Sequence, residues 1–186
     1  MTEEERTKLL LEAWKKTVDV QQHFNDIEMH VRNLALTILG AVVAFAKFLD
    51  LKNEGTSAVL PQGMLFLALT VLIAAFWFMD KHWYHRLLMG AVREGAHLEK
   101  TLTGLGVPIT LGANISAASP IRLFGRRMHS KFKVDLFYLV LGTLGLLASG
   151  ASVGGPWLWL SIMVVAVAWC LWGAWWWITA PKGPVD

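Results

Sequence analysis

Four stretches of this chain, Leu34–Ala46, Val59–Met79, Leu136–Val153 and Trp157–Ala180, contain no charged residue. A helix needs roughly 17–25 mostly apolar residues to cross a bilayer, where its backbone polar groups must all be satisfied internally. The last three stretches meet that length. The first reaches it with Asn33, Lys47, Phe48 and Leu49, because a terminal lysine extends its ammonium to the headgroups while its stem stays in the apolar layer. The chain therefore reads as an all-α integral membrane protein with spans at 34–49, 59–79, 136–153 and 157–180. Only 17% of its residues are charged, against about 25% in soluble domains.

Lysine and arginine orient the spans. Five precede the first span, nine lie between the second and third, and Lys182 follows the fourth, fifteen in all. The opposite side holds two, Lys47 and Lys52. Cytoplasmic loops carry the excess of basic residues, so both termini, segment 1–33 and segment 80–135 are expected in the cytoplasm. Trp157 and Trp159 at one end of the fourth span and Trp175, Trp176 and Trp177 at the other form two interfacial belts. Their separation is roughly 27 Å at a rise of 1.5 Å per residue, close to a bilayer core. Glu3-Glu4-Glu5 is the opposite of a basic signal-peptide start, so the first span is expected to insert and to remain. The single cysteine, Cys170, excludes an intrachain disulfide; a buried small apolar residue is its expected role.

Thr2 and Glu5 have the spacing of a capping box. Beyond them Leu10, Ala13, Thr17, Val20, Phe24, Ile27, Val31 and Leu34 recur at alternating intervals of three and four, a heptad seam that runs into the first span. One continuous helix from Glu3 to about Leu49 is predicted, roughly 70 Å long. Its seam has three possible hosts: this chain's own middle segment, the membrane surface, or the same helix in other subunits. Glu12, Asp19, Asp26 and Glu28 on the polar face make an anionic membrane the poorest of them. The second span also continues past Met79 as a helix to about Thr103, with Trp83, Leu87, Leu88, Ala91, Val92, Leu98 and Leu102 as its stripe. Gly104, Gly106 and Pro108 end it. Thr101–Ile121 is uncharged but rich in Gly, Pro, Ser and Thr, and is expected as a buried cytoplasmic loop or a re-entrant segment.

Catalytic chemistry finds no support. The uncharged spans hold no His, Asp or Glu that intramembrane proteolysis or ion coupling would use. His82 and His85 share a face at i, i+3, but Asp80 points elsewhere, and a metal site wants several ligands together. His23, Asp26 and His30 read as a solvated face. No catalytic residue, metal ligand or cofactor is assigned, and the chain is not expected to be an enzyme.

The densest signal is Arg122 to Lys133, with Arg122, Arg126, Arg127, Lys131 and Lys133 interleaved with Phe124 and Phe132. Such a segment beside a span anchors on anionic lipid at about 1 kcal/mol per basic residue, or binds a phosphate-bearing nucleotide or oligonucleotide. Lys8, Lys15, Lys16 and Arg32 would join that site if helices cluster about an axis. Within the spans, Gly40 with Ala44, Gly142 with Gly145 and Ser149, and Ala166 with Cys170 and Ala174 are small residues at packing intervals. Any pore would be formed between subunits, with the first span, through Thr37, Gly40 and Ala44, as its candidate lining.

Val20-Gln-Gln-His-Phe-Asn-Asp-Ile-Glu-Met-His-Val-Arg-Asn-Leu-Ala-Leu-Thr-Ile-Leu-Gly40 resembles the helix-into-membrane entry of small bacterial effectors of nucleotide-signalling anti-phage systems, most of all the Hailong-type membrane effectors. That resemblance implies a tetrameric channel of the bacterial inner membrane with its N-terminal helices gathered in a cone. It also implies closure by a nucleic-acid-like oligomer, opening during infection, and a cytoplasmic nucleotidyltransferase as partner. The alternative is a non-conducting membrane scaffold that recruits a cytoplasmic partner through the same helices.

Overall fold

The computed structural model describes residues 2–52, 59–123 and 126–180, with side chains left aside at 50–52 and 59–61. Phe124 and Lys182 of the basic segments lie outside the described residues. The chain is nearly all helical: α1 Glu3–Lys52, α2 Val59–Met79, a π-helical turn Asp80–Tyr84, α3 His85–Gly104, α4 Leu111–Ala118, β1 Ile121–Leu123, β2 Arg126–Met128, α5 Ser130–Val153 and α6 Gly155–Thr179. Four helical segments, Glu3–Leu49, Gln62–Gly104, Ser130–Val153 and Gly155–Thr179, are long and apolar enough to cross a membrane.

Two compact units divide the chain: Met1–Val31 with Met79–Pro120, and Arg32–Phe78 with Ile121–Asp186. In the first, the capping box closes the start of α1, the Thr2 amide donating to Glu5 Oε2 at 2.8 Å and the Glu5 amide to Thr2 Oγ1 at 3.2 Å. The seam of α1 is used within the chain, through a polar heptad row. Trp14 donates Nε1 to Glu99 Oε1 at 3.3 Å, Gln21 donates Nε2 to the Ala91 carbonyl at 3.0 Å, and Glu28 Oε1 meets His85 Nδ1 at 3.2 Å. The seven-residue steps on α1 meet a descending series on α3, so the two helices run antiparallel. Gly95 leaves room for the Gln21 amide: a Cβ there would lie 2.5 Å from Gln21 Nε2.

Three expectations change in this unit. Glu28 belongs to the buried row, 3% exposed, and not to the solvated face. The π-helical turn resets the helical phase, so Trp83 and Leu87 are exposed, His82 is exposed while His85 is half-buried, and Asp80 is fully buried. Thr101–Ile121 is not a buried loop; it contains α4, none of whose residues is buried, tied down where the Gly112 amide donates to Glu99 Oε1 at 2.8 Å.

In the second unit α2 packs on α5 through close backbone approaches. A Cβ at Gly145 would meet Thr70 Oγ1 at 2.6 Å, and Ser149 Oγ donates to the Gly63 carbonyl at 2.8 Å. Trp77 donates Nε1 to Asp135 Oδ1 at 2.9 Å. Gln62 Nε2 ties α2 to the Ala46 carbonyl of α1. Gly150 admits Ser161 between α5 and α6, and Trp169 Nε1 donates to Thr143 Oγ1 at 2.9 Å. The most apolar window of α6 is only 6% buried, so Cys170 is exposed and not buried. Trp159, Met163, Leu171 and Ile178 are likewise more than 60% exposed. Surfaces of that kind are stable in hydrocarbon and not in water.

Candidate functional site

The basic segment folds as a small hairpin, an addition to the all-α expectation. β1 and β2 pair antiparallel with Ile121 opposite Met128, Arg122 opposite Arg127 and Leu123 opposite Arg126. Alternate residues point to opposite faces of a strand, and the two faces differ. Leu123, Arg126 and Met128 turn inward onto Phe132, Trp176 and Ala180, of which Phe132 is fully buried. The guanidinium of Arg126 lies 3.9 Å from the centre of the Trp177 ring, and Nη1 donates to the Ala180 carbonyl at 3.1 Å. Arg126 is thus committed to holding the hairpin on α6.

Arg122 and Arg127 occupy the other face, directly opposite one another, an arrangement unfavourable for like charges. Arg127 Nε is buried without an acceptor, as are Trp172 Nε1 and Trp176 Nε1. Lys131 and Lys133 follow in the first turn of α5, where the helix dipole favours anions over cations. Lys131 Nζ sits 4.7 Å from the Phe132 ring centre. Arg122, Arg127, Lys131 and Lys133 thus gather positive charge around one short hairpin at the start of α5.

The remaining basic candidates do not all belong to this cluster. Arg32 begins the same unit and is half-buried. Lys8, Lys15 and Lys16 belong to the other unit. Lys8 pairs with Glu4 at 2.7 Å, Lys16 approaches Asp19 at 3.9 Å, and Lys15 is exposed.

The apolar seam splits into two rows. Leu10, Thr17 and Phe24 are half-buried and Val31 is buried, beside the polar row that meets α3. Ala13, Val20 and Leu34 are exposed, and Ile27 is half-exposed. Thr37, Gly40 and Ala44 are all exposed on α1, with Thr37 Oγ1 returned to the Asn33 carbonyl and open space around Gly40. Among the described residues no group of three or more His, Cys, Asp or Glu gathers as a metal site.

Comparison with family models, curated proteins and solved structures gave no match. The site therefore rests on its own geometry. That geometry buries four acids, Glu28, Asp80, Glu99 and Asp135, each at most 8% exposed; from the sequence alone Glu28 was expected on the polar face and Asp80 away from the histidines, and Glu99 and Asp135 were passed over. Glu28 carried a signal, standing seven residues after Gln21 and fourteen after Trp14. Asp135 carried another, as the only acid between Arg122 and the third span.

Proposed function

We propose that this chain is a multi-pass protein of the bacterial inner membrane, both termini cytoplasmic, that assembles in copies about a shared axis and conducts ions under control of a phosphate-bearing ligand. The observation that carries the reading is the division of α1. One row of its heptad is consumed by α3, while Val20, Leu34, Thr37, Gly40 and Ala44 remain exposed along the same helix. Small residues on a lipid-exposed face let backbones approach closely and favour association in a bilayer. The surrounding helices carry no buried ion pathway in their charge-free stretches, so conduction belongs between copies.

The outward pair Arg122 and Arg127 with Lys131 and Lys133 supports a phosphate ligand at the basic end of α5. With the resemblance to Hailong-type effectors, it supports a nucleotide or oligonucleotide made by a nucleotidyltransferase, and a role in anti-phage defence. Liposome flux is the test. Purified protein should dissipate a potassium gradient in a nucleotide-dependent way, and Gly40→Leu should abolish flux with helix content unchanged. No flux with or without nucleotides refutes conduction. A non-conducting scaffold draws support from the exposed Leu111 and Ile115 of α4; it predicts a stable cytoplasmic partner and an intact potassium gradient.

A further inference from the structure

The outer faces of α1 and α3 are charged in opposite senses and at the same interval. On α3, Arg86, Gly90, Arg93, His97 and Lys100 follow one another at steps of three and four along a single row, and all five are exposed. No acid interrupts that row. Among the described residues Arg86, Arg93 and Lys100 enter no ion pair. On α1, the face turned away from α3 carries Glu12, Asp19 and Asp26, also seven apart and all exposed, with Lys16 and His23 at the intervening steps. Seven residues rise about 10.5 Å in a helix, so both rows repeat with one spacing.

The rows are also level. Trp14 meets Glu99 and Glu28 meets His85 across the hairpin of α1 and α3. Two residues back along α1 and one forward along α3 lead from these pairs to Glu12 and Lys100, and to Asp26 and Arg86. Asp19 and Arg93 stand midway. The offset is about one residue rise, or about 1.5 Å. Rotation about an axis parallel to the helices preserves every level. It also sets α1 of each copy antiparallel to α3 of its neighbour, the orientation in which these rows match without sliding.

Resting on the proposed assembly of copies about an axis, we infer that the basic row of α3 in one copy docks on the acidic row of α1 in the next, making a head-to-tail ring of these hairpins. The contact joins two different surfaces, which closes only where the rotation closes. Exposed ion pairs supply little energy but set register and reject mismatched neighbours. Apolar area comes from the residues just past three of the charges, whereas Glu94 follows Arg93 and Thr101 follows Lys100. Val20 follows Asp19 and Ile27 follows Asp26 on α1, and Leu87 follows Arg86 on α3, with Val20 43% and Leu87 52% exposed. In facing antiparallel helices these flanks fall on the same side of the contact. Lys16 lies 3.9 Å from Asp19 with side chains 85% and 66% exposed, which leaves Asp19 accessible. No Lys or Arg follows Lys16 until Arg32, so the match is cleanest at Asp19 and Asp26.

A charge swap in the full chain tests it, read as particle mass in lipid nanodiscs. Arg86→Glu with Arg93→Glu should raise the concentration for half-assembly at least tenfold, as should Asp19→Lys with Asp26→Lys. All four changes together should restore the wild-type mass. Circular dichroism must give wild-type helicity for each variant. Wild-type mass in both two-residue variants overturns the docking, as does a four-residue variant that stays dissociated while folded. Disruption by the α3 changes alone, with the α1 changes silent, also overturns it and gives the α3 row to an external polyanion. A wild type of single-chain mass refutes the assembly underlying the proposed function; an assembled wild type indifferent to both rows refutes only this contact.

Discussion

Replacing Glu99 by alanine should loosen three elements at once. Its Oε1 accepts from the Gly112 amide at 2.8 Å and the Trp14 indole at 3.3 Å, and the residue is 8% exposed. Since α4 buries none of its residues, the bond to Glu99 is a principal tie holding it to α3. A hydrogen bond to a charged group contributes roughly 1.5–3 kcal/mol net. Losing the Gly112 bond should therefore raise the local opening constant of α4 by roughly 10–150-fold, since about 1.4 kcal/mol is a factor of ten. Hydrogen exchange over residues 111–118 reads this directly. Glu99→Gln keeps an acceptor but loses its charge, and a neutral bond is roughly half as strong, so its exchange should rise by a smaller factor. The start of α1 should also loosen in Glu99→Ala, through Trp14. Unchanged exchange in α4 would refute the reasoning, because it would mean that other contacts hold the helix.

Gly150→Ala should lower resistance to SDS unfolding, because the new Cβ would lie 2.7 Å from Ser161 Cβ and 3.1 Å from the Trp157 carbonyl, a crowding worth about 1–3 kcal/mol. Gly142→Ala, with nothing within 4 Å of the new Cβ, should match or exceed the wild type by up to about 1 kcal/mol from helix propensity. Arg126→Ala should destabilise the foot of α5 and α6, seen as altered tryptophan fluorescence and earlier unfolding, whereas Arg127→Ala should leave unfolding within about 0.5 kcal/mol and weaken phosphate-ligand binding. Reporter fusions to either terminus should both give cytoplasmic signals; a periplasmic signal from one would overturn the orientation drawn from the basic residues.

The four helices long and apolar enough to span a membrane were legible because an uninterrupted apolar run has few alternatives, and α1 was legible as a heptad. Which row of that heptad packs within the chain was not. Counting apolar residues selects Leu10 through Leu34, while the row that meets α3 is Trp14, Gln21 and Glu28, whose partners are a carboxylate, a carbonyl and an imidazole. Apolar periodicity cannot register a polar row. The hairpin escaped because its strands are three residues each, shorter than any alternation pattern needs. Arg126 and Arg127 look alike in sequence; strand alternation alone makes one a clamp on Trp177 and leaves the other facing Arg122.

Exposure of apolar residues is weak evidence for assembly in a chain of this kind, because lipid tails satisfy leucine as well as another helix does. The glycines discriminate better. At Gly63, Gly145 and Gly150 an added Cβ would collide with a neighbouring helix of the same chain, so their cost in helix propensity is offset by close packing already present. At Gly40, Gly142 and Gly173, also in helices, a Cβ would meet nothing within 4 Å. Each of these costs its helix up to about 1 kcal/mol relative to alanine with no return inside the chain. Another backbone approaching Gly40 from outside would supply that return, on the same exposed face as Thr37 and Ala44. Gly40, with Thr37 and Ala44 beside it, therefore adds to the division of α1 as support for copies meeting along that helix.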